Sequence, residues 1–350
     1  MLLQKLKMNR IATAIALTAI ATTAQAGYKV KLSDKDTLEF GGYVKADLRH
    51  VNGDVNSLVD DYWIGLGVPA DISRTELSAR ESRFNTKYTH GDVVGFIEMD
   101  FLGSNATGNE IVSNSYSPRL RHAFIKYKNV LVGQTWTTFA NTSALAEAAD
   151  FGGPLVAAAF IRQTQVRYTN GGFALAVENP ESDKGDNLND SVPDLVGKYT
   201  FKGDWGNVSV AALFRELNSV DGESHNAFGY GVAGRIKVGD KNDVRFQIHG
   251  GETGRYVGVV AARDLHNNEV EETESYLVSY RHFWSDGVRS NVFYGHTETD
   301  LAKADRSHWG VNLFKNYTPQ LAIGFEVGNF DQADMDIDSD YAQLTAKYSF

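Results

Sequence analysis

Apolar and polar residues alternate along nearly the whole chain, from about residue 37 to the last residue. In the final segment Ala342, Leu344, Ala346, Tyr348 and Phe350 alternate with more polar neighbours. Because successive side chains of a β-strand point to opposite faces, each such segment predicts a strand with one apolar and one polar face. A soluble sandwich would show the same alternation, so this pattern alone leaves two fold classes open.

The connections between the predicted strands separate these two classes. The alternation predicts sixteen strands, at 37–51, 80–90, 92–102, 118–127, 129–138, 160–169, 172–179, 193–202, 205–216, 226–238, 243–254, 272–284, 287–299, 306–317, 319–331 and 339–350. Turns after even-numbered strands are short, such as 203–204 and 285–286, whereas most loops after odd-numbered strands are long, such as 52–79, 139–159 and 255–271. Short turns on one side and long loops on the other are typical of outer-membrane barrels. We therefore predict an all-β fold, a 16-stranded antiparallel transmembrane β-barrel with both termini on the periplasmic side.

Composition agrees with a barrel that spans a membrane. In hydrocarbon every backbone N–H and C=O must be paired within the protein, which a closed barrel achieves. The apolar strand faces would meet lipid and the polar faces water, and sixteen strands leave a lumen too wide for side chains to fill. The chain has no Cys, which excludes disulfides and thiolate metal sites, and its net charge of −10 argues against nucleic-acid binding.

The first 26 residues predict a signal peptide that is removed. Lys5, Lys7 and Arg10 precede an apolar run, and Ala24-Gln25-Ala26 is the small-x-small pattern that signal peptidase cleaves. Cleavage would leave residues 27–350 as the barrel domain. It would also change the net charge from −10 to −13, since the segment holds three basic and no acidic residues.

Several local motifs resemble one family of channels. They are SRFNTKY at 82–88, GFIEMDF at 95–101, LRHAF at 120–124 and VGQTWTTF at 132–139. Together they resemble the DcaP-like porins, within the trimeric porin superfamily of Gram-negative bacteria. The resemblance implies a homotrimer in the outer membrane, in contact with lipid and lipopolysaccharide, that takes up dicarboxylates and other small anions.

Two further segments extend this resemblance. Asp150, Phe151, Gly152 and Gly153 are similar to the tip of the third loop of trimeric porins, which implies a constriction loop after the fifth strand. The terminal Phe350, with Tyr348 before it, resembles the signal that the barrel-assembly machinery reads in outer-membrane proteins.

The polar faces of the early strands carry many cations. They are Lys45, Arg49, Arg83, Lys87, Arg119, Arg121 and Arg167, while the parity of Arg162 places it at the base of the third loop. We expect them to form a basic wall opposite Glu147 and Asp150 of the loop, because charge ladders set ion preference in pores and Arg binds carboxylates bidentately. Alternatively, these cations are solvated wall or pair with Asp47, Glu98 and Asp100.

The sequence therefore predicts a water-filled porin for small hydrophilic solutes that prefers anions such as dicarboxylates. A non-selective general diffusion porin and a closed barrel acting as a surface adhesin or structural protein remain as alternatives. We expect no enzyme, cofactor or metal site, because the histidines lack metal-ligand spacing. A hydrolase would need a Ser–His pair on the lipid face, and His122, which has outward parity, has no partner by spacing.

Overall fold

The computed structural model describes residues 27–55, 63, 69–103 and 114–350. Within them the chain forms a closed antiparallel barrel whose wall has sixteen positions, which confirms the predicted fold class. The predicted signal peptide at 1–26 lies outside the described residues. No helix in the described part of the chain is long and apolar enough to cross a membrane.

The described residues form twenty strands, of which eighteen belong to the barrel sheet. They are β1 (Tyr28–Lys31), β2 (Asp36–Val55), β3 (Pro69–Ser78), β4 (Arg83–His90), β5 (Val93–Gly103), β6 (Ser117–Tyr127), β7 (Val130–Trp136), β8 (Arg162–Asn170), β9 (Phe173–Glu178), β10 (Asp194–Gly203), β11 (Gly206–Asn218), β12 (Ser224–Val238), β13 (Asn242–Gly251), β14 (Leu265–His266), β15 (Glu269–Val270), β16 (Thr273–Ser285), β17 (Val288–Thr299), β18 (Asp305–Asn316), β19 (Leu321–Gln332) and β20 (Ile337–Ser349). Three-residue 3₁₀ turns occur at Thr142–Ala144, Leu155–Ala157, Gly254–Tyr256 and Ala333–Met335.

The barrel closes between its first long strand and its last. β2 pairs with β20 from Tyr43 to Gly53. Beyond the end of β20, β1 pairs with the same edge of β2. Gly42 lies at this junction and exchanges backbone hydrogen bonds with Phe350. Its φ is +147°, and a Cβ there would lie 2.1 Å from the carbonyl oxygen of Arg83, so only glycine fits.

The second strand of the barrel wall differs from the sequence prediction. Residues 52–79 were expected to form one loop, but β3 lies within that range and pairs with β2. β3 and β4 together form one interrupted wall strand. The sequence signal was missing because β3 lies beyond the apolar band, where few of its side chains need to be apolar. The predicted loop 255–271 likewise contains the β14–β15 hairpin.

The outer face of the barrel is apolar, with aromatic residues near the short turns. Tyr127, Tyr168, Tyr199, Trp205 and Tyr317 are all exposed on this face, as expected for side chains at a membrane–water interface. The remaining short-turn connections and strand ends lie within a few residues of those predicted. Alternation with period two therefore placed the wall of the barrel correctly.

Loops enter the barrel at the long-loop end. Trp63 is fully buried and stacks on Phe330 of β19, with ring centroids 4.9 Å apart. The same cluster contains Val156 of the loop after β7 and Ala261 of the loop after β13. That second loop is fixed by Asp264, which accepts hydrogen bonds from Arg215 of β11 at 2.5 and 2.8 Å. The apolar core of this protein therefore lies inside the barrel, between loops and wall.

Candidate functional site: a loop-crossed lumen lined by arginines

Residues 137–161, called here the internal loop, join the fifth and sixth wall strands and cross the lumen. Their backbone is held by side chains of distant strands. The carbonyl of Ala149 accepts from Lys45 of β2 and Gln343 of β20, both at 2.8 Å. On the far side, the carbonyl of Leu145 accepts from Arg245 of β13 at 2.6 Å. The loop is thus attached to opposite sides of the wall.

Glu147 of the internal loop faces the far wall rather than the early strands. It forms ion pairs with Arg281 of β16 at 3.0 Å and Arg289 of β17 at 2.5 Å. Burial opposes ionisation of Glu147, but these two arginines outweigh it and lower its pKa to about 2. The sequence had placed Glu147 opposite the basic wall. Its partners are far away along the chain, so no local pattern indicated them.

Asp150 begins a tight turn at the tip of the loop. Its carboxylate accepts the N–H groups of Gly152 at 3.1 Å and Gly153 at 2.5 Å. Gly153 has φ +70°, which favours glycine at this turn. Burial raises the pKa of Asp150, against the charges of Arg49 and Lys45 nearby. Asp150 therefore lies on the β2 side of the lumen, apart from Glu147.

Phe151 is the loop residue that contacts the arginines of β6. Its ring lies 5.7 Å from the guanidinium carbon of Arg119 and 5.4 Å from that of Arg121. The contact between the loop tip and these arginines is therefore of the cation–π kind. Of the two loop carboxylates expected opposite the basic wall, Asp150 lies near Lys45 and Arg49 of that wall, whereas Glu147 faces Arg281 and Arg289 instead.

Most cations of β2 to β6 are paired with carboxylates on the same or neighbouring strands. Lys45 contacts Asp47 and Glu81, Arg83 contacts Glu98, and Lys87 contacts Glu39. Arg119 binds Asp100 through two hydrogen bonds of 3.0 and 2.8 Å, and Arg121 bridges Glu98 and Asp100. Arg49 lies over the rings of Trp63 and Tyr341. The alternative that these cations pair with strand carboxylates thus holds for much of the set.

In the pair of Arg119 with Asp100 the cation is nearer to the water-filled side than the anion. The side chain of Arg119 is 25% exposed, whereas that of its partner Asp100 is 0% exposed. At this pair the lumen therefore meets the guanidinium rather than the carboxylate.

A β-bulge between β5 and β6 changes the side of the wall to which one residue of β6 points. The register between β5 and β6 shifts at Glu98 and Met99, so that Arg121 and His122 both turn inward. His122 is buried and hydrogen-bonds the hydroxyl of Thr135 at 3.0 Å. The outward parity expected for His122 is wrong, because a strict period of two does not survive a bulge.

Arg162 and Arg167 of β8 and Lys198 of β10 have no such partners among the described residues. Arg162 lies over the ring of Trp136 at 5.2 Å, and Arg167 makes a long hydrogen bond of 3.4 Å to the Trp136 carbonyl. Lys198 of β10 donates to the carbonyl of Ala140 at 2.7 Å. Among the residues that the structure describes, none of the three forms an ion pair. Sequence reasoning missed Lys198, although its parity with buried Val196 marks it as inward.

A second basic group lies on β12 to β17 and was not predicted. Asp243 forms ion pairs with Arg235, Arg245 and Arg281. With Arg289 bound to Glu147, four arginines share two carboxylates on this side of the lumen. The side chain of Arg235 is 30% exposed and that of Asp243 is 0% exposed. The polar parity of Arg245 was visible in the sequence, but its clustering depends on strand register.

The carboxyl-terminal residues lie at the barrel seam. Tyr348 is exposed on the outer face and is opposite Leu321 of β19 and Val44 of β2. Phe350 exchanges backbone hydrogen bonds with Gly42 at 3.1 Å. No group of side chains in the described ranges is arranged to hold a metal ion.

A closed 16-stranded barrel crossed by an internal loop is the architecture of porin-type channels. The DcaP outer membrane protein family matches residues 65–300, more than half of the chain. The chain therefore belongs to this family, which confirms the resemblance seen in its motifs. Family and fold indicate an outer-membrane channel rather than an enzyme.

Solved structures share the fold over nearly the whole chain. The outer membrane channel DcaP of Acinetobacter baumannii has a TM-score of 0.76 at 22% identity, covering 93% of this chain and 100% of its own. The anion-selective porin from Comamonas acidovorans has a TM-score of 0.61 at 12% identity, covering 90% and 100%. OmpF of Salmonella typhi has a TM-score of 0.60 at 16% identity, covering 92% and 100%. No curated protein matches the sequence.

Proposed function

We propose that this protein is a diffusion channel for small hydrophilic solutes that prefers anions, including dicarboxylates. The observation that carries the proposal is the excess of inward cations near the internal loop. Arg162, Arg167 and Lys198 lack ion-pair partners among the described residues, and four arginines share Asp243 and Glu147 on the other side. Positive charge on both sides of a narrow passage attracts anions and repels cations.

The net charge of the whole chain does not oppose this preference. The acidic residues of the long loops act at the mouth, where salt screens charge over roughly 10 Å at 0.1 M. At the internal loop the passage is narrow and its protein walls have a low dielectric constant, so the charges there act more strongly on a passing ion. Planar guanidinium groups also match the two oxygens of a carboxylate, which favours carboxylates over spherical anions of equal charge.

Neutralising the unpaired cations tests the proposal. We expect the variant Arg162→Gln, Arg167→Gln, Lys198→Gln to shift the reversal potential in a KCl gradient towards cation selectivity, and to slow dicarboxylate flux into liposomes. The matched control is Lys31→Gln, Lys241→Gln, Lys303→Gln, which removes the same charge from exposed positions. We expect the control to keep the wild-type reversal potential.

Two outcomes would favour the alternatives. Unchanged selectivity in the lumen variant would support a non-selective general diffusion porin. A wild-type barrel with no measurable conductance would support a closed surface adhesin or structural barrel.

The setting of the channel is part of the same proposal. We infer export through cleavage after Ala26, insertion by barrel-assembly machinery that reads Tyr348 and Phe350, and a homotrimer surrounded by lipid and lipopolysaccharide in a Gram-negative outer membrane. The Tyr348 ring on the outer face and the position of Phe350 at the seam are compatible with an assembly signal.

A further inference from the structure

A continuous series of aromatic rings runs along the inner wall to the tip of the internal loop. Its members are Phe124, Phe96, His122, Trp136, Phe160 and Phe151, called here the aromatic track. Consecutive ring centroids are 5.3, 6.1, 5.8, 4.6 and 5.8 Å apart. These spacings fall within the range of direct aromatic contact.

Phe96 and Phe124 form the end of the track farthest from the internal loop, and they face inward without belonging to a packed core. Phe96 has the same parity as Glu98 and Asp100 on β5, and Phe124 is opposite Phe96 on β6. Both rings are only half-buried, and neither belongs to an apolar cluster formed by the described residues. By comparison, the interior aromatic group of Trp63, Phe330 and Tyr341 is almost completely buried. The Trp63 group therefore belongs to the packed interior, whereas Phe96 and Phe124 leave ring surface that a solute can touch.

Cations flank the upper half of the track. Arg121 lies 5.4 Å from the ring of Phe151 and 5.9 Å from that of Trp136. Arg162 lies 5.2 Å from the Trp136 ring and has no ion pair within the described part of the chain. A solute that reached this wall would meet a flat apolar surface and a guanidinium group side by side.

We propose that the aromatic track makes the channel prefer anions that carry a flat apolar ring over aliphatic anions of the same charge. The inference rests on the proposed function and names a substrate class for that same lumen. A ring would stack on Phe96 or Phe124 while a carboxylate of the same solute reaches towards the guanidinium groups that flank Trp136. Phe96 and Phe124 are then the residues that determine this specificity.

Two dianions of similar length test the inference. Benzene-1,4-dicarboxylate carries a ring between its carboxylates, and hexanedioate carries an aliphatic chain. In single-channel recordings we expect benzene-1,4-dicarboxylate to occupy the wild-type channel about two- to tenfold longer, as one ring contact would give. In Phe96→Leu, Phe124→Leu the two times should become equal, while hexanedioate and chloride selectivity stay as in wild type.

The control is Phe325→Leu, the same substitution on the outer face of β19, which should keep the wild-type ratio. Equal occupancy times in an anion-selective wild-type channel would overturn this inference and leave the proposed function intact. A ratio that survives in the double variant would also overturn it. A cation-selective wild-type channel would overturn both proposals.

Discussion

Arg121 is the residue on which the early-strand charge network depends most. Its side chain is 1% exposed and binds Glu98 at 2.9 Å and Asp100 at 2.8 Å. Burying these charges costs desolvation energy, which the pairing offsets only while all partners are present. Arg121 is therefore first a structural cation, and its contribution to the lumen surface is indirect, through the position of Arg119 and Phe151.

Replacing Arg121 should destabilise the barrel more than it changes selectivity. In Arg121→Ala we expect the free energy of unfolding to fall by about 3–5 kcal/mol, because two buried carboxylates lose a partner. Urea unfolding in detergent micelles, followed by tryptophan fluorescence, measures this change. Arg119→Ala serves as the comparison and should cost less, since Arg119 is partly exposed. A variant Arg121→Ala as stable as wild type would contradict the structural assignment.

At the scale of elements, the internal loop is held by ion pairs and hydrogen bonds to the wall in addition to its own packing. Glu147 connects it to β16 and β17 through Arg281 and Arg289. Asn291 and Asn312 also donate to the carbonyl of Glu147, at 2.7 and 2.8 Å. One loop residue thus contacts three successive wall strands, which fixes the depth of the loop in the lumen.

The anchoring by Glu147 should have a distinct pH dependence. Its pKa is lowered from 4.5 to about 2, so its stabilising effect is complete above pH 4.5 and is lost as pH falls towards 2. We expect the melting temperature of Glu147→Gln to lie equally far below wild type at pH 7 and pH 5, and to converge with it near pH 2. Circular dichroism in detergent measures the melting temperatures of wild type and variant at each pH. Glu269→Gln, at an exposed position, serves as the control. Convergence already at pH 4.5 would show that the arginines do not hold the carboxylate ionised.

The elements also show how far sequence reasoning reaches. Alternation placed the wall strands, because lipid on one side and water on the other impose it on every residue within the membrane. β3 was missed because it lies beyond that band, and His122 because a bulge reversed its parity. The direction of Glu147 and the arginine group around Asp243 depend on strand register and on contacts between distant segments. Individual cations such as Arg119 could therefore be predicted to face inward, whereas Asp100 could be named as a partner only as an alternative to an unpaired basic wall.

At the scale of the whole molecule, the described outer surface carries a shallow apolar groove on the early strands. A shallow groove of about 490 Å³ on β4 to β7 is lined by side chains and backbone of Tyr88, Gly95, Ile97, Ala123, Ile125 and Val132, among others. Gly95 and Ala123 form its floor because their side chains are small or absent. The homotrimer proposed above requires an apolar outer face of this kind, which each copy presents to its neighbours.

Filling this groove should weaken the trimer without disturbing the protomer. A Cβ on Gly95 would meet no atom within 4 Å and its φ is not positive, so Gly95→Leu is compatible with the fold. A side chain projecting from the floor would keep a neighbouring copy from the apolar surface that closed three-fold association requires. We expect wild-type protein to migrate as a trimer on unheated gels in mild detergent, and Gly95→Leu to dissociate at a lower temperature. Gly197→Leu is the matched control, because Gly197 on β10 is also outward and equally free of neighbours; it should behave as wild type. If Gly95→Leu is as heat-resistant as wild type, the copies meet through another face, and if wild type is a monomer under these conditions, the trimer itself is wrong.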